Sequence, residues 1–205
     1  MKVLVLGIRG IPGVQGGVET HAEHLYERLV QLGCEVEAIV RTPFVPQGTD
    51  HAGRIRLRRI WSPRRPGAEA LVHSLLGVLY AALRRPDILH VHAIGPAIVT
   101  PLARLAGLKV VVTHHGPDYD RDKWGPFART VLRIGEWMGM RFASGRIVIS
   151  EVIRDLVRVR HGRNAFLIPN GVVPVEPRVD RNLVEEFGLE PGRYFLQVSR
   201  MVPEK

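Results

Sequence analysis

The feature that most constrains the fold of this chain is a regular alternation of short apolar runs with longer amphipathic stretches. The apolar runs are rich in β-branched residues and mostly continuous, which is typical of strands that helices cover on both faces. Helical periodicity is clearest where apolar residues recur three and four positions apart ahead of Gly33. Because the spacers are long enough for crossover helices, the pattern predicts an α/β fold with a doubly wound parallel sheet. The predicted strands cover residues 3–6, 36–40, 55–60, 88–91, 110–113, 147–149 and 165–168, and the predicted helices cover 17–32, 68–84, 96–106, 126–142 and 151–160.

The composition excludes several classes of protein. A chain of 205 residues with 45% hydrophobic and 24% charged residues is globular, and neither disordered nor fibrous. The single cysteine, Cys34, excludes an intramolecular disulfide and is typical of a reducing cytoplasm. The apolar stretch after Lys2 ends at Arg9, too soon for a secretory signal, and the run over 75–83 is about half of what a bilayer requires. The sequence therefore predicts a cytoplasmic protein that does not span a membrane.

The charge is strongly positive, since 29 lysine and arginine residues against 20 aspartate and glutamate residues give a formal net charge of +9. Such an excess is typical of proteins that bind nucleic acid, anionic lipid or phosphorylated substrates. Nucleic acid is disfavoured, because no recognised nucleic-acid module is present and the aromatic residues are not interleaved with the basic clusters. The clusters at 56–65 and 126–142 leave two interpretations open: peripheral contact with an anionic membrane, or ordinary solvated arginines. Trp137 and Met138 are expected to pack in the core.

The chain divides into three predicted parts. Residues 1–172 read as one complete domain, and residues 173–191 as a linker rich in proline and valine with a short polar helix. Residues 192–205 are expected to form the first strand and the start of a second domain. A strand with no following helix cannot cover its own faces, so we expect this second domain to be truncated.

A glycine-rich loop over residues 7–20 leads from the first predicted strand into the first predicted helix. It lacks the G-x-G-x-x-G spacing at the strand exit, which disfavours an NAD-dependent oxidoreductase. Glycines let backbone N–H groups approach a ligand, and the helix N-terminus adds partial positive charge. The loop therefore predicts an anion site, to which Arg9 would add a full charge. The alternative is a flexible loop whose glycines only permit tight turns.

Histidines stand at the end of the fourth predicted strand. Alternation places His90 and His92 on one face, near the carboxyl edge where open α/β sheets bind ligands. No third ligand stands at a suitable spacing for a metal. The pair therefore predicts hydrogen-bonded histidines on the floor of a cleft, and no metal site.

The loop after the fifth predicted strand is dense in groups that can do chemistry. Gly-Pro at 116–117 turns the chain out of the sheet and is expected to leave His114 and His115 exposed at the carboxyl edge. A histidine there could act as a base or hold a hydroxyl group, and Asp118 is a second catalytic candidate. The alternative is a solvated loop with a structural histidine pair.

Two further turns carry weaker signals. Asn170 and Gly171 form a sharp turn at a strand end. Arg200 and Lys205 flank a turn after the last predicted strand, where they could clamp a diphosphate or simply be an exposed charged terminus.

Taken together, these segments resemble the retaining glycosyltransferases of family 4, which have the GT-B architecture of two facing Rossmann-like domains. The resemblance covers essentially the whole chain and rests on four motifs in the expected order. The first is most similar to bacterial polysaccharide transferases of the rhamnosyltransferase-like subgroup. The motifs are GIRGIPGVQGGVET at 7–20, HHGPDYDRDKWG at 114–125, IPNGV at 168–172 and SRMVPEK at 199–205.

The resemblance implies roles for individual residues. Gly16 and Gly17 would bring backbone amides close to the donor diphosphate and the acceptor. His115 would contact the donor sugar near the acceptor. Arg200 and Lys205 would hold the diphosphate and stabilise the leaving group, so that no metal or other cofactor is expected. The remaining candidates for the acceptor side of the cleft are Arg9, Glu19, His92, His114 and Asn170.

The resemblance also implies an activity. It is transfer of a hexosyl-type sugar, with retention, from a nucleotide-sugar donor to a glycan or lipid-linked acceptor in bacterial cell-surface polysaccharide biosynthesis. The N-terminal domain would receive the acceptor and the C-terminal domain most of the donor, so these 205 residues alone are expected to have little activity. Two alternatives stay open: a sugar-nucleotide epimerase of GT-B-like fold, which the histidine loop disfavours, and a basic nucleic-acid-binding α/β domain.

Overall fold

The structure is a computed structural model that describes residues 1–65, 67–171, 186–190 and 192–198. The chain divides into two compact units, residues 1–170 and 171–205. Arg200, Lys205 and the predicted linker at 173–177 lie outside the described residues, so their assignment stays a prediction. The strand expected over 194–198 is not formed, and these residues lie in no helix or strand.

The first unit contains one eight-stranded sheet, with strand order β3-β4-β2-β1-β5-β6-β7-β8. Every neighbouring pair is parallel except β3 and β4. The chain order reverses between β1 and β5, the position where doubly wound sheets open a crevice for ligands. The strands are β1 Lys2–Leu6, β2 Glu35–Arg41, β3 His51–Ala52, β4 Ile55–Ile60, β5 Ile88–His92, β6 Val110–His114, β7 Gly145–Val148 and β8 Phe166–Leu167.

Helices connect these strands, and the predicted doubly wound α/β fold is confirmed. The helix expected over 96–106 divides into two, because Pro101 lacks the N–H that a continuous helix would use there. The helices are α1 Gly17–Gln31, α2 Ala68–Arg84, α3 Thr100–Leu105, α4 Pro126–Phe142 and α5 Glu151–His161, with 3-10 turns at Pro96–Val99 and Asp118–Asp120. Within the described part of the chain, no helix combines the length and apolarity needed to cross a bilayer.

The core lies on both faces of the sheet, as the continuous apolar strands predict. In β1, Leu4 and Leu6 pack on the face covered by α2 and α4, whereas Val3 and Val5 pack on the face covered by α1. Burying both faces fixes the sheet's register, because a shift of one residue would exchange the two sets.

Helix α4 packs against the sheet through its small residues. A Cβ at Gly139 would lie 2.7 Å from the Cβ of Ala97, so the helix approaches too closely for a larger side chain. Trp137 therefore lies on the opposite side and is 50% exposed, contrary to its expected place in the core. The inward face of α4 also carries one charged residue, Glu136, which is 1% exposed.

Candidate active site at the carboxyl edge of the sheet

The candidate site lies where β1, β5 and β6 end side by side. Strands β1 and β5 are paired up to Leu6 and Val91, and the chain then leaves β1 through Gly7. Gly7 has φ +103°, and a Cβ there would overlap the backbone oxygen of His92. Only glycine permits both this conformation and this close approach. The glycine-rich loop is therefore held directly against the end of β5.

A partly buried ion pair between Arg9 and Glu19 fastens this loop to the first turn of α1. Oε1 of Glu19 lies 3.0 Å from Nε and 3.2 Å from the backbone N of Arg9, and Oε2 lies 3.1 Å from Nη2. Glu19 is 6% exposed. Burial alone would raise the pKa of Glu19, but the hydrogen bonds and charge of Arg9 outweigh it and hold this pKa below its ordinary value. Arg9 thus brings a full positive charge to the loop, but Glu19 pairs with it and neutralises it.

The two glycines at the start of α1 have different surroundings. A Cβ at Gly16 would overlap both the Glu19 carboxylate and the Arg9 guanidinium, so a larger residue there would displace the ion pair. At Gly17, by contrast, nothing lies within 4 Å of a Cβ position. The Cβ side of Gly17 is therefore open, whereas the carboxylate of Glu19 already accepts a hydrogen bond from its own backbone N–H in this first turn.

Behind this helix terminus runs a chain of hydrogen bonds, which we call the histidine–tyrosine chain. Oγ1 of Thr113 lies 2.7 Å from Nε2 of His90, and Nδ1 of His90 lies 2.8 Å from the hydroxyl of Tyr26. That hydroxyl lies 2.5 Å from Nε2 of His92, and Nδ1 of His92 lies 2.9 Å from Nε2 of His115. The prediction that His90 and His92 share one face is confirmed, since their ring centroids lie 4.4 Å apart.

The imidazoles of this chain are neutral at neutral pH. Burial, reinforced by nearby histidines, lowers the pKa of His90 to about 3 and that of His115 to about 4. The pKa of His92 is lowered well below its ordinary value for the same reasons. Burial also raises the pKa of Tyr26, so its hydroxyl keeps its proton. The chain therefore carries hydrogen bonds without formal charge.

The His114 side chain lies on the face of the sheet opposite to that of His115. The expectation that it is exposed is therefore wrong. Its side chain is 0% exposed and lies on the α4 side of the sheet. The backbone N–H of Gly116 donates to its Nδ1 over 3.1 Å, so the ring hydrogen belongs to Nε2. Nε2 lies 3.5 Å from Oε2 of Glu136, at the outer limit of hydrogen-bond distance. His114 is therefore a buried support of the loop.

Glu136 gathers a second set of groups, which we call the Glu136 network. Oε1 of Glu136 lies 2.6 Å from Nε2 of His161 and 3.6 Å from Nη1 of Arg160, and Arg160 also donates to the hydroxyl of Tyr119. Burial alone would raise the pKa of Glu136, but His114, His161 and Tyr119 lower it to about 2. The network thus joins α4, α5, the end of β6 and the turn that carries Asp118.

The remaining candidates are more peripheral. Asp118 lies 3.1 Å from Nε of Arg121 in its own turn, and the structure gives it no hydrogen bond to His115. Asn170 is exposed at the end of the first unit. Across the residues that the structure describes, no group of three or more histidine, cysteine or carboxylate side chains is arranged to hold a metal ion.

Sequence reasoning missed three residues that organise the site, namely Tyr26, Thr113 and Glu136. Tyr26 follows the apolar period of α1 and reads as a core residue, and Thr113 reads as an ordinary β-branched strand residue. Glu136 could have been identified from the sequence, because it is an acidic residue on the inward face of a helix. A charge at such a position needs buried partners.

Solved structures from several organisms share this fold. Sucrose-phosphate synthase from Thermosynechococcus elongatus has a TM-score of 0.66 and 19% identity, over 92% of this chain and 53% of that one. HepE from Anabaena, in complex with UDP and glucose, has a TM-score of 0.58 and 15% identity, over 91% and 50%. UGT89C1 from Arabidopsis thaliana, with UDP-L-rhamnose, has a TM-score of 0.52 and 15% identity, over 91% and 55%. This chain thus spans about half the length of each, and it shares with them the Rossmann-like fold of a GT-B domain.

The sequence itself places the chain in a family. No curated protein sequence matches it. The family model described as Glycosyltransferase Family 4, however, matches residues 15–176, which include α1, the histidine–tyrosine chain and the Glu136 network. On this match, the chain belongs to Glycosyltransferase Family 4.

Proposed function

We propose that this chain is the acceptor-side part of an enzyme that transfers a hexosyl-type sugar, with retention, from a nucleotide-sugar donor to a glycan or lipid-linked acceptor. We place the reaction in the cytoplasm, in bacterial cell-surface polysaccharide biosynthesis. Membership of Glycosyltransferase Family 4 supports the class of reaction. HepE with UDP and glucose, and UGT89C1 with UDP-L-rhamnose, share the fold, which supports a nucleotide sugar as the donor.

The observation that carries this proposal is the partly buried imidazole of His115, which lies near the first turns of α1, where the Cβ side of Gly17 is open. The ring of His21, in the first turns of α1, lies with its centroid 5.6 Å from that of His115. A helix N-terminus favours anions, so a diphosphate at the open side of Gly17 would lie close to His115. The Arg9–Glu19 pair keeps the intervening loop in place.

In this proposal the residues divide between four tasks: binding the diphosphate, contacting the sugar, stabilising the leaving group and receiving the acceptor. Gly16 and Gly17 hold the backbone amides that approach the diphosphate. His115 contacts the transferred sugar, and Asp118 is the second catalytic candidate. Arg200 and Lys205 keep the role that the resemblance gives them, which is to stabilise the leaving group in place of a metal. Glu19, His92, His114 and Asn170 then belong to the acceptor side of the cleft or its support.

The test uses the 205-residue chain by itself and fused to the donor-binding half of a Family 4 transferase. We expect little turnover from the chain alone, and transfer from one of a panel of UDP-, GDP- and dTDP-sugars by the fusion. His115→Ala should lower this transfer, whereas His24→Ala, an exposed histidine on α1, should leave it unchanged. The anomeric configuration of the product reports retention, and activity should survive EDTA. A fusion that is folded yet inactive with the whole panel would overturn the proposal.

We also propose that the protein makes peripheral contact with the anionic inner face of a membrane. Helix α4 exposes Phe127 and Trp137, and Arg141 lies one turn after Trp137. Apolar rings flanked by cations suit a surface of anionic lipid. In co-sedimentation we expect binding to anionic but not neutral vesicles, weakened by salt and by the double change Phe127→Ala with Trp137→Ala. The control is Leu105→Ala, an exposed apolar residue on α3, and absence of binding at low salt would exclude membrane contact.

A further inference from the structure

The histidine–tyrosine chain has one buried end and one accessible end. Thr113 and Tyr26 are 2% and 0% exposed, and His90 and His92 are buried as well. His115 is only partly buried, and its Nδ1 has no hydrogen-bond partner in the part of the chain that the structure describes. The direction in which hydrogens are donated along the chain therefore decides what His115 offers to a ligand.

The buried end fixes that direction. The hydroxyl of Thr113 has one partner among the described residues, Nε2 of His90. Its hydrogen is satisfied only if the hydroxyl donates to this nitrogen. A neutral imidazole carries a single hydrogen, so His90 then holds its own on Nδ1 and donates it to the oxygen of Tyr26.

The same assignment of one hydrogen to each group can be continued to the accessible end of the chain. The hydroxyl of Tyr26 donates to Nε2 of His92, and Nδ1–H of His92 donates to Nε2 of His115. Nε2 of His115 is thus an acceptor, and the neutral ring holds its hydrogen on Nδ1. In this direction every buried hydrogen of the chain has an acceptor.

The reverse direction fails at one position. It would need Nε2–H of His115 to donate to His92, and so on back to Nε2–H of His90, which would donate to Thr113. The hydrogen of the Thr113 hydroxyl would then be buried with no acceptor among the described residues. A buried donor without an acceptor is costly, so this direction is disfavoured.

We propose that Thr113 and Tyr26 are positioning residues that hold His115 in the Nδ1–H tautomer, so that it presents a hydrogen-bond donor, and not a base, to an oxygen of the bound sugar or phosphate. The identity of that ligand rests on the proposed function, whereas the tautomer does not. A donor at this position would hold a sugar hydroxyl or a phosphate oxygen without taking a proton from it.

The groups around His115 support a neutral donor. Its ring lies near those of His92 from β5 and His21 from α1, and the charges of His114 at the end of β6 and Glu19 in α1 also act on it. Glu19 is the only carboxylate among these groups, and its oxygens are engaged by Arg9. No neighbour in this set therefore offers His115 a free carboxylate that would stabilise the imidazolium form.

The test measures imidazole 15N shifts by NMR in the 205-residue chain with 15N-labelled histidine, near neutral pH and without ligand. Signals of His115 are assigned from a His115→Gln variant. In the wild type we expect the Nδ1–H form in about tenfold excess or more over Nε2–H. Thr113→Val removes the fixed donor, and Tyr26→Phe cuts the chain, so each should bring the two forms to within about threefold of each other. Thr113→Ser, which keeps the hydroxyl, should restore the wild-type shifts.

Two results would overturn the proposal. The first is a wild-type His115 with its hydrogen on Nε2 or shared equally between the nitrogens. The second is an excess of Nδ1–H that neither Thr113→Val nor Tyr26→Phe reduces. If Tyr26→Phe does not fold, the Val and Ser variants at 113 still decide the question, because both keep the shape of a strand residue. An inactive fusion enzyme would overturn the proposed function but would leave the tautomer result untouched.

Discussion

His114 and His115 are neighbours in sequence, yet they belong to two networks of opposite electrical character. His114 lies on the α4 side of the sheet, where it meets the ionised carboxylate of Glu136. His115 lies on the α1 side, where it ends a chain of uncharged hydrogen-bonding groups. Because side chains alternate along a strand, a step of one residue is enough to separate them. The end of β6 thus combines a charged anchor with a neutral group that is only partly buried.

The two networks also use burial in different ways. Burial penalises the ionised form of Glu136, but several donors around the carboxylate outweigh that penalty. Burial equally penalises the imidazolium forms of His90 and His92, and there no carboxylate compensates, so both rings stay neutral. The charged network can therefore hold several elements together, while the neutral one keeps the chemistry of His115 constant near pH 7.

The largest expected effect is the response of stability to acid. The pKa of His90 is lowered to about 3 and that of His92 well below its ordinary value. These two groups therefore contribute stability that is present above pH 6.5 and is lost as the pH falls below it. Each imidazole that must stay neutral contributes about 1.4 kcal/mol per pH unit, so the two together approach about 3 kcal/mol per unit. Urea unfolding at pH 7, 6 and 5 checks this slope.

The contribution of the Glu136 network to stability changes in a different pH range, which separates it from that of the histidines. The pKa of Glu136 is lowered from 4.5 to about 2, so its contribution is present above pH 4.5 and is lost between pH 4.5 and 2. A fall in stability between pH 6.5 and 4.5 therefore belongs to the histidines, to which His115 and His73 also contribute because burial lowers their pKa values to about 4. A flat response in that range would show that the histidine–tyrosine chain is not neutral in the folded state.

The second effect is the loss of the charged anchor itself. Glu136→Gln keeps the shape of the side chain but removes the charge that His114, His161 and Arg160 face. Breaking a buried charged network by removing one partner costs about 3–5 kcal/mol. The measurement is the free energy of unfolding at pH 7. The control is Glu151→Gln, whose exposed pair with Arg154 should contribute less than about 1 kcal/mol.

The third effect concerns the neutral group that faces the cleft. His115→Ala should lower sugar transfer by the fusion enzyme about 10²-fold, which is typical for the loss of one well-placed hydrogen-bond donor. The unfolding free energy should change less than in Glu136→Gln, because His115 is only partly buried. If His115→Ala lowered the free energy of unfolding but left sugar transfer unchanged, His115 would support the fold and would not contact the substrate.

Much of this architecture follows from local sequence pattern. The bounds predicted for the helix at 68–84 are those of α2, since apolar period and flanking glycine both act within a few residues. Pairing His90 with His92 needed only the alternation of a strand. The two-residue β3 and the break at Pro101 escaped prediction, because short elements depend on their neighbours rather than on their own period.

The site was harder to predict, since its contacts cross between distant elements. The bond from Tyr26 to His92 spans 66 positions, and that from His92 to His115 spans 23. Such contacts depend on the register of β5 against β6 and on the packing of α1, which no single segment encodes. The pairing of Arg9 with Glu19 was not predicted for the same reason, because Glu19 becomes adjacent only when the loop folds back.

The smallest expected effect separates Asp118 from both networks. Its carboxylate pairs with Arg121 in the same turn, and the arginine side chain is 52% exposed. Exposed pairs of this kind contribute about 0–1 kcal/mol, so Asp118→Asn should change the free energy of unfolding by about 0.5 kcal/mol. The comparison with Glu136→Gln in the same denaturation experiment is direct, since both changes remove one carboxylate from the same region. A cost for Asp118→Asn similar to that of Glu136→Gln would mean that the loop, and not the helix beneath it, anchors the end of β6.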